Sequence, residues 1–238
     1  MENSKGLWIF GLIIGLCLII TGAIISKTFL DVRKLDNVIS VSGSAKQTVT
    51  SDSARWTGNF SRTILKDQLK EGYAGMKNDE KIVTDFFKAQ GFDKVEISSV
   101  FMNEIYKNDA NAPKEYNLIQ NIEIKSDDVN KMKELAKNSD QLANKGVFFS
   151  TNAVEYYYSK LPDLRVSLLP SAIKDAKNRA SSIAESSGRE VDSIKSVSMG
   201  VVQVLSVGSI DVSDYGSYDT SNIEKEVMIT VKTTFGLK

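Results

Sequence analysis

Nineteen consecutive residues near the amino end, Leu7 to Ile25, carry no charge and read LWIFGLIIGLCLIITGAII. Nothing else in the sequence restricts folding so strongly. Backbone placed in hydrocarbon must satisfy its own polar groups, and a single segment does that only as a helix. At 1.5 Å per residue such a helix crosses about 30 Å, the thickness of the bilayer core. Trp8 at one end suits the membrane interface, and the run has no polar face to turn outward from a protein core. A cleaved signal peptide is the alternative, with Thr21-Gly22-Ala23 as the small residues before the cut. Ile24 and Ile25 prolong the apolar run beyond that point and favour a retained anchor. A lipoprotein site is excluded, because Leu16 rather than a small residue precedes Cys17. The reading is therefore a tail over residues 1–6, an anchor over 7–25, a stalk over 26–36 and a single domain over 37–238.

Orientation is not settled by charge. Lys5 lies on one side of the run and Lys27, Arg33 and Lys34 on the other, which leans toward a cytoplasmic carboxyl-terminal part. A short tail before an apolar run is, against that, the pattern of export. The single cysteine, Cys17, lies inside the run, so the domain forms no internal disulfide.

Composition excludes several functions. The chain has no histidine, which removes His-assisted serine or cysteine nucleophiles and the common zinc sites. Thirty Lys+Arg balance thirty Asp+Glu, whereas a nucleic-acid binder needs a basic footprint.

Beyond the stalk, hydrophobic period two alternates with helical spacing. In residues 38–49, Ile39, Val41, Gly43, Ala45 and Val49 share a face; in the next strand Ala54, Trp56, Gly58, Phe60 and Ile64 do so, after a turn at Ser51-Asp52. Leu65, Leu69, Tyr73, Met76, Val83 and Phe87 then predict a helix to Gln90. Residues 95–107 and 115–126 read as a second hairpin around the loop Asn108–Lys114, and Asp127 or Asp128 can cap the helix that follows. Residues 147–159 form a fifth strand. A long helix runs from Pro162 to Gly188 with Leu164, Leu168, Ala172, Ala176, Ala180 and Ala184 in one line, and Pro170 is expected to kink or split it. Strands over 194–205 and 227–235 close the domain. The order ββα-ββα-βα-ββ predicts an α+β fold, a mainly antiparallel sheet of about seven strands with helices packed on it.

Two stretches are more specific. Ile39-Ser-Val-Ser-Gly-Ser-Ala with the turn Ser51-Asp-Ser-Ala, and Ala172-Ile-Lys-Asp-Ala-Lys-Asn-Arg-Ala-Ser-Ser-Ile-Ala-Glu-Ser-Ser-Gly-Arg leading into Ile194-Lys-Ser-Val-Ser, resemble the SIMPL-domain family of bacterial envelope proteins. Ser-Asp-Tyr-Gly-Ser-Tyr-Asp over 213–219 resembles a subset of it. The sequence departs from the family pattern in having Ser44 in place of glycine, Ser51 in place of proline, and Pro170 in the helix. The resemblance implies an exported domain, periplasmic or on the cell surface, that oligomerises. Some members are associated with oxidative-stress tolerance, and no enzymatic activity is implied.

No constellation carries catalysis. Ser171 and Lys174 match S-x-x-K, and Lys232-Thr233-Thr234 stands on a terminal strand as K-T-G does in penicillin-recognising enzymes; Thr234 replaces the glycine, the element order differs, and Ser171 follows a proline. Asp211, Asp214 and Asp219 lack EF-hand spacing. Tyr156-Tyr157-Tyr158 reads as strand packing, with the central ring on the opposite face. Lys174, Lys177 and Arg179 are the wet side of the long helix. The loop of residues 206–226 is long yet carries Ile210, Tyr215, Tyr218 and Ile223, apolar and aromatic side chains that suit an interface. The expectation is a non-enzymatic, membrane-anchored envelope protein that self-associates through these four residues, with no catalytic, cofactor or metal site. A binding module for a small ligand or envelope polymer, using the same loop, is the alternative.

Overall fold

A computed structural model describes residues 3–34, 37–109 and 112–238. Parts of the predicted tail, the stalk and the loop Asn108–Lys114 lie outside the described residues. Helix α1 (Asn3–Lys34) covers the predicted anchor and continues through most of the stalk. Its stretch Phe10–Leu30 is long and apolar enough to cross a membrane, and none of it is buried.

The following elements are, in order, β1 (Val38–Thr50), β2 (Ser53–Leu65), a 3-10 turn (Lys66–Gln68), α2 (Leu69–Ala89), β3 (Val95–Ile97), β4 (Phe101–Ile105) and β5 (Glu115–Ser126). Next come α3 (Val129–Asn138), α4 (Gln141–Asn144), β6 (Phe148–Thr151), β7 (Glu155–Tyr157), α5 (Leu161–Ser186), β8 (Val191–Met199), β9 (Gln203–Ser206), β10 (Ser217–Tyr218) and β11 (Glu224–Leu237). The fold is α+β, as the pattern predicts. Its strands form two sheets. One has five strands in the order β1-β11-β9-β10, with β8 also on β11; the other has six in the order β3-β5-β2-β6, with β4 also on β5 and β7 on β2.

Three stretches read as single strands are each broken in two. Between β3 and β4 the hydroxyl of Ser98 accepts the Asn121 N–H at 2.9 Å, a bond that the ladder would otherwise take from backbone. Between β6 and β7 the Asn152 carbonyl leaves the ladder to accept the Trp56 indole N–H at 3.1 Å. Between β8 and β9, Gly200 N–H still bonds the Thr230 carbonyl, but the next residue paired with β11 is Gln203. Pro170 does not split α5, which is helical from Leu161 to Ser186. Pro170 and Val166 are both exposed, so the Val166 carbonyl that loses its donor faces water.

The chain packs as two units. The first holds α1, β1 to Ala45, Leu168–Val201 and Ile229–Lys238. There the predicted alanine line is buried: Ala172, Ala176 and Ala180 are at 0% exposure. The line lies against Gly43, where an added Cβ would overlap Ala172 O and Ala176 N. Ser44 N–H donates to the Asp175 carboxylate at 2.9 Å, tying β1 to α5. Among the described residues strand β8 pairs only with β11, and all its residues after Val191 are exposed.

The second unit holds Lys46–Ser167 and Val202–Met228. One face of its six-stranded sheet buries Trp56, Phe60, Leu118, Ile122 and Ile124 with Met76, Val83 and Phe87 of α2 and Leu135 of α3. Trp56 meets Phe87 edge-on at 5.6 Å between ring centres, a favoured aromatic geometry. The Ser51-Asp52 turn is anchored by its own side chain: the Asp52 carboxylate accepts from Ser159 N–H and Oγ, each at 2.7 Å. Burial pushes the Asp52 carboxyl upward, but the Ser159 bonds outweigh it and the net shift is downward. Asp128 caps α3, its carboxylate accepting from Lys131 N–H at 2.9 Å.

Candidate functional site

The loop of residues 206–226 is fixed at several points. Gln203, nearly buried, brackets Ser213 by donating Nε2 to its carbonyl and accepting its N–H. Asp219 N–H bonds the Val204 carbonyl, Tyr156 N–H the Thr220 carbonyl, and Ser51 N–H the Ile223 carbonyl, each at 2.8 Å. The centre of this arrangement is Lys225, at 0% exposure. Its Nζ donates to the carbonyls of Asp219 and Asn222 and lies 5.8 Å from the Tyr218 ring centre. Burial lowers the Lys225 pKa, and the charge of Asp219 opposes that shift. The Asp219 carboxylate accepts Ser221 N–H at 2.8 Å and Asn222 Nδ2 at 2.9 Å. Burial alone raises its pKa, but these bonds and Lys225 bring it down.

The four residues singled out from sequence divide into two pairs. Ile223 packs on the aromatic core, and Tyr218 is held: its hydroxyl accepts Tyr158 N–H at 2.9 Å and its ring lies 5.9 Å from that of Tyr157. Ile210 and Tyr215, in contrast, are 90% and 96% exposed. Val207 and Val212 are exposed beside them in the sequence. Sequence reasoning missed Lys225, although the signal was present: it shares its parity with Val227, Ile229, Val231, Thr233 and Phe235, all buried.

The remaining candidates are placed as follows. Ser171 and Lys174 stand exposed on α5, and Asp211 and Asp214 are exposed in the loop. Tyr156 is buried in the core, while Tyr157 bonds Glu155 on the other face at 2.8 Å.

Two polar clefts open on the six-stranded sheet. The smaller, about 430 Å³, includes Arg55, Asn59, Asn121 and Glu123. Arg55 is tied to Glu123 at 2.9 Å and to Glu155 at 3.4 Å. The larger, about 660 Å³, runs along the last residues of β2 and includes Arg62, Thr63, Gln68, Asn117 and Phe148. Arg62 is gripped by Asp79, itself 2% exposed; Nη2 donates to Oδ1 at 2.7 Å and Nε to Oδ2. That contact holds the guanidinium protonated more firmly than usual.

The pattern of the SIMPL family, described as a protein of unknown function (DUF541), matches residues 39–235. The chain belongs to the SIMPL family. The match begins at Ile39 of β1 and ends at Phe235 of β11. It therefore takes in the Gly43 contact with α5, the Asp52 turn and the Lys225 loop. No curated protein matches the chain.

Proposed function

We propose that this SIMPL protein is a non-enzymatic component of the cell envelope, held by α1 in the membrane with its domain on the extracytoplasmic side, and that it self-associates through the 206–226 loop. The observation that carries the reading is the pairing of firm internal anchorage with outward apolar side chains. A loop fixed by Gln203 and Lys225 has little conformational entropy left to lose on docking. It nevertheless presents Ile210 and Tyr215 almost wholly to solvent. Tyrosine is favoured at interfaces because it covers much area with few torsions to order. A role in stress tolerance follows only from kinship and belongs to the same proposal.

The test uses the full chain in mild detergent. Light scattering should give a protein mass of at least two copies. Ile210→Ser with Tyr215→Ser should lower that mass while leaving the far-ultraviolet circular dichroism unchanged. A wild-type monomer at high micromolar concentration, or an unaltered mass in the double variant, refutes self-association by this loop. For topology, a membrane-impermeant protease should remove the domain from cells whose outer barrier is opened; protection in spheroplasts refutes the placement.

A further inference from the structure

The larger cleft is bounded by an unfinished strand pair. Strand β2 pairs with β5 as far as Leu65 with Glu115, but with β6 only from Gly58 to Ser61, the latter opposite Phe148. Four residues of β2, numbers 62–65, therefore lack a neighbouring strand on the β6 side.

The directions of their backbone groups follow from the bonds around them. Thr57 O accepts Asn152 N–H on the β6 side, whereas Lys66 N–H reaches Lys114 O on the β5 side. Backbone groups in an antiparallel strand alternate between its two neighbours, so odd-numbered residues face β6. Leu65 N–H, also odd, is met by the Gln68 side chain at 3.2 Å. Thr63 thus turns both its N–H and its C=O into the cleft, where no strand among the described residues meets them, and Thr63 is exposed.

Another open edge, that of β8, is guarded differently. Strand β8 is interrupted by a register shift at Lys195 and carries Asp192 and Lys195, devices that discourage strand addition. The β2 slot has no register shift, and its charged residue, Arg62, is held by Asp79. Gly146, at φ +79°, leaves open space before β6, and Phe148 is 77% exposed at the mouth.

We propose that this slot receives an extended segment of another polypeptide, which adds to β2 in line with β6. A donor and an acceptor on one residue, aimed sideways from a strand, are matched by another extended backbone. At about 3.3 Å per residue the slot takes roughly four residues. The described carboxyl end is not the occupant, because Lys238 and Glu190 exchange backbone bonds at 3.0 and 2.9 Å. The occupant's residue opposite Thr63 is small or β-branched, since Thr pairs well with such a neighbour across strands. Its residue opposite Arg62 bears a carboxylate or amide, because Arg62 has five donors and Asp79 takes two.

The probe is acetyl-Gly-Val-Ile-Thr-Asp-Gly-amide, added to the full isotope-labelled chain in mild detergent and followed by amide exchange and chemical shifts. In the free protein Thr63 N–H should exchange rapidly. At saturating peptide its exchange should slow at least tenfold, with shifts at Thr63 and Phe148. Thr63→Pro removes the donor on the open side without breaking a ladder bond, and should weaken the peptide at least tenfold. N-methylation of the peptide's threonine should do the same with the protein unaltered, so the test survives if the proline variant does not fold. The proposal is overturned by a Thr63 amide already protected without peptide, by equal binding of the N-methylated peptide, or by shifts confined elsewhere. It is also overturned if the peptide lowers the mass of the wild-type assembly, which would make a second copy of the chain the occupant. Loss of mass in the loop variant with peptide binding retained separates this site from the self-association surface.

Discussion

Gly43→Ala is the sharpest probe of the contact between β1 and α5. The added Cβ would lie 2.7 Å from the Ala176 Cβ and overlap backbone atoms of α5, while ordinary contact begins at 3.4 Å. Backbone cannot rotate away, so helix and strand must separate by about 1 Å. That gap spreads along the line Ala172, Ala176, Ala180 and Ala184. Four methyl groups with roughly ten neighbours each, at about 0.15 kcal/mol per neighbour, hold about 6 kcal/mol of dispersion. A 1 Å gap forfeits a quarter to a half of it, about 1.5–3 kcal/mol. Replacing a strand glycine returns about 0.5–1 kcal/mol of backbone entropy. The net expected loss is about 0.5–2.5 kcal/mol. Urea unfolding of the full chain in detergent, followed by circular dichroism, measures it. Ser42→Ala, on the exposed side of β1, should change stability by less than about 0.5 kcal/mol. Ala176→Gly costs about 1 kcal/mol by itself in a helix, but combined with Gly43→Ala it should cost less than that, since the two sites share one contact. A Gly43→Ala variant as stable as Ser42→Ala, or strictly additive effects in the pair, would refute the close approach.

Other outcomes follow from the anchoring contacts. Lys225→Met leaves the Asp219 and Asn222 carbonyls without their buried donor, and should cost about 2–4 kcal/mol while speeding proteolysis within residues 206–226. Asp52 has a folded pKa below its ordinary 3.8, so its contribution is complete above that value and is lost as pH falls through the folded pKa. Asp52→Asn should flatten this part of the acid unfolding profile, seen as a smaller loss of melting temperature on acidification than in wild type.

Much of this architecture is legible in the sequence because β1, β2 and α5 each have one face in the core, and burial then imposes its period on the residues. The broken strands are less legible, because Ser98 and Asn152 end a ladder through single hydrogen bonds that leave the alternation around them intact. The division into two sheets is hidden for a related reason. Strand β11 pairs with β9 through Lys225–Met228 and with β8 through Val231–Leu237, and hydropathy records that a strand is buried but not which neighbours it has. At the loop, the pattern singled out Ile210, Tyr215, Tyr218 and Ile223 but not their division into exposed and held pairs. Tyr215 and Tyr218 are equivalent in composition, and only the Tyr158 N–H and the ring of Tyr157 distinguish them.

Loops rich in aspartate, serine and glycine are often organised around calcium, whose charge gathers carbonyl oxygens. Here the ammonium of Lys225 gathers them instead, covalently attached and supplied in a fixed ratio of one per chain. The expected consequence is a 206–226 loop whose shape does not follow the concentration of divalent ions around the protein. A chelator that loosens a calcium-organised loop should leave this one intact. The exposed side chains of Ile210 and Tyr215 should then stand in the same place in ion-poor and ion-rich surroundings alike.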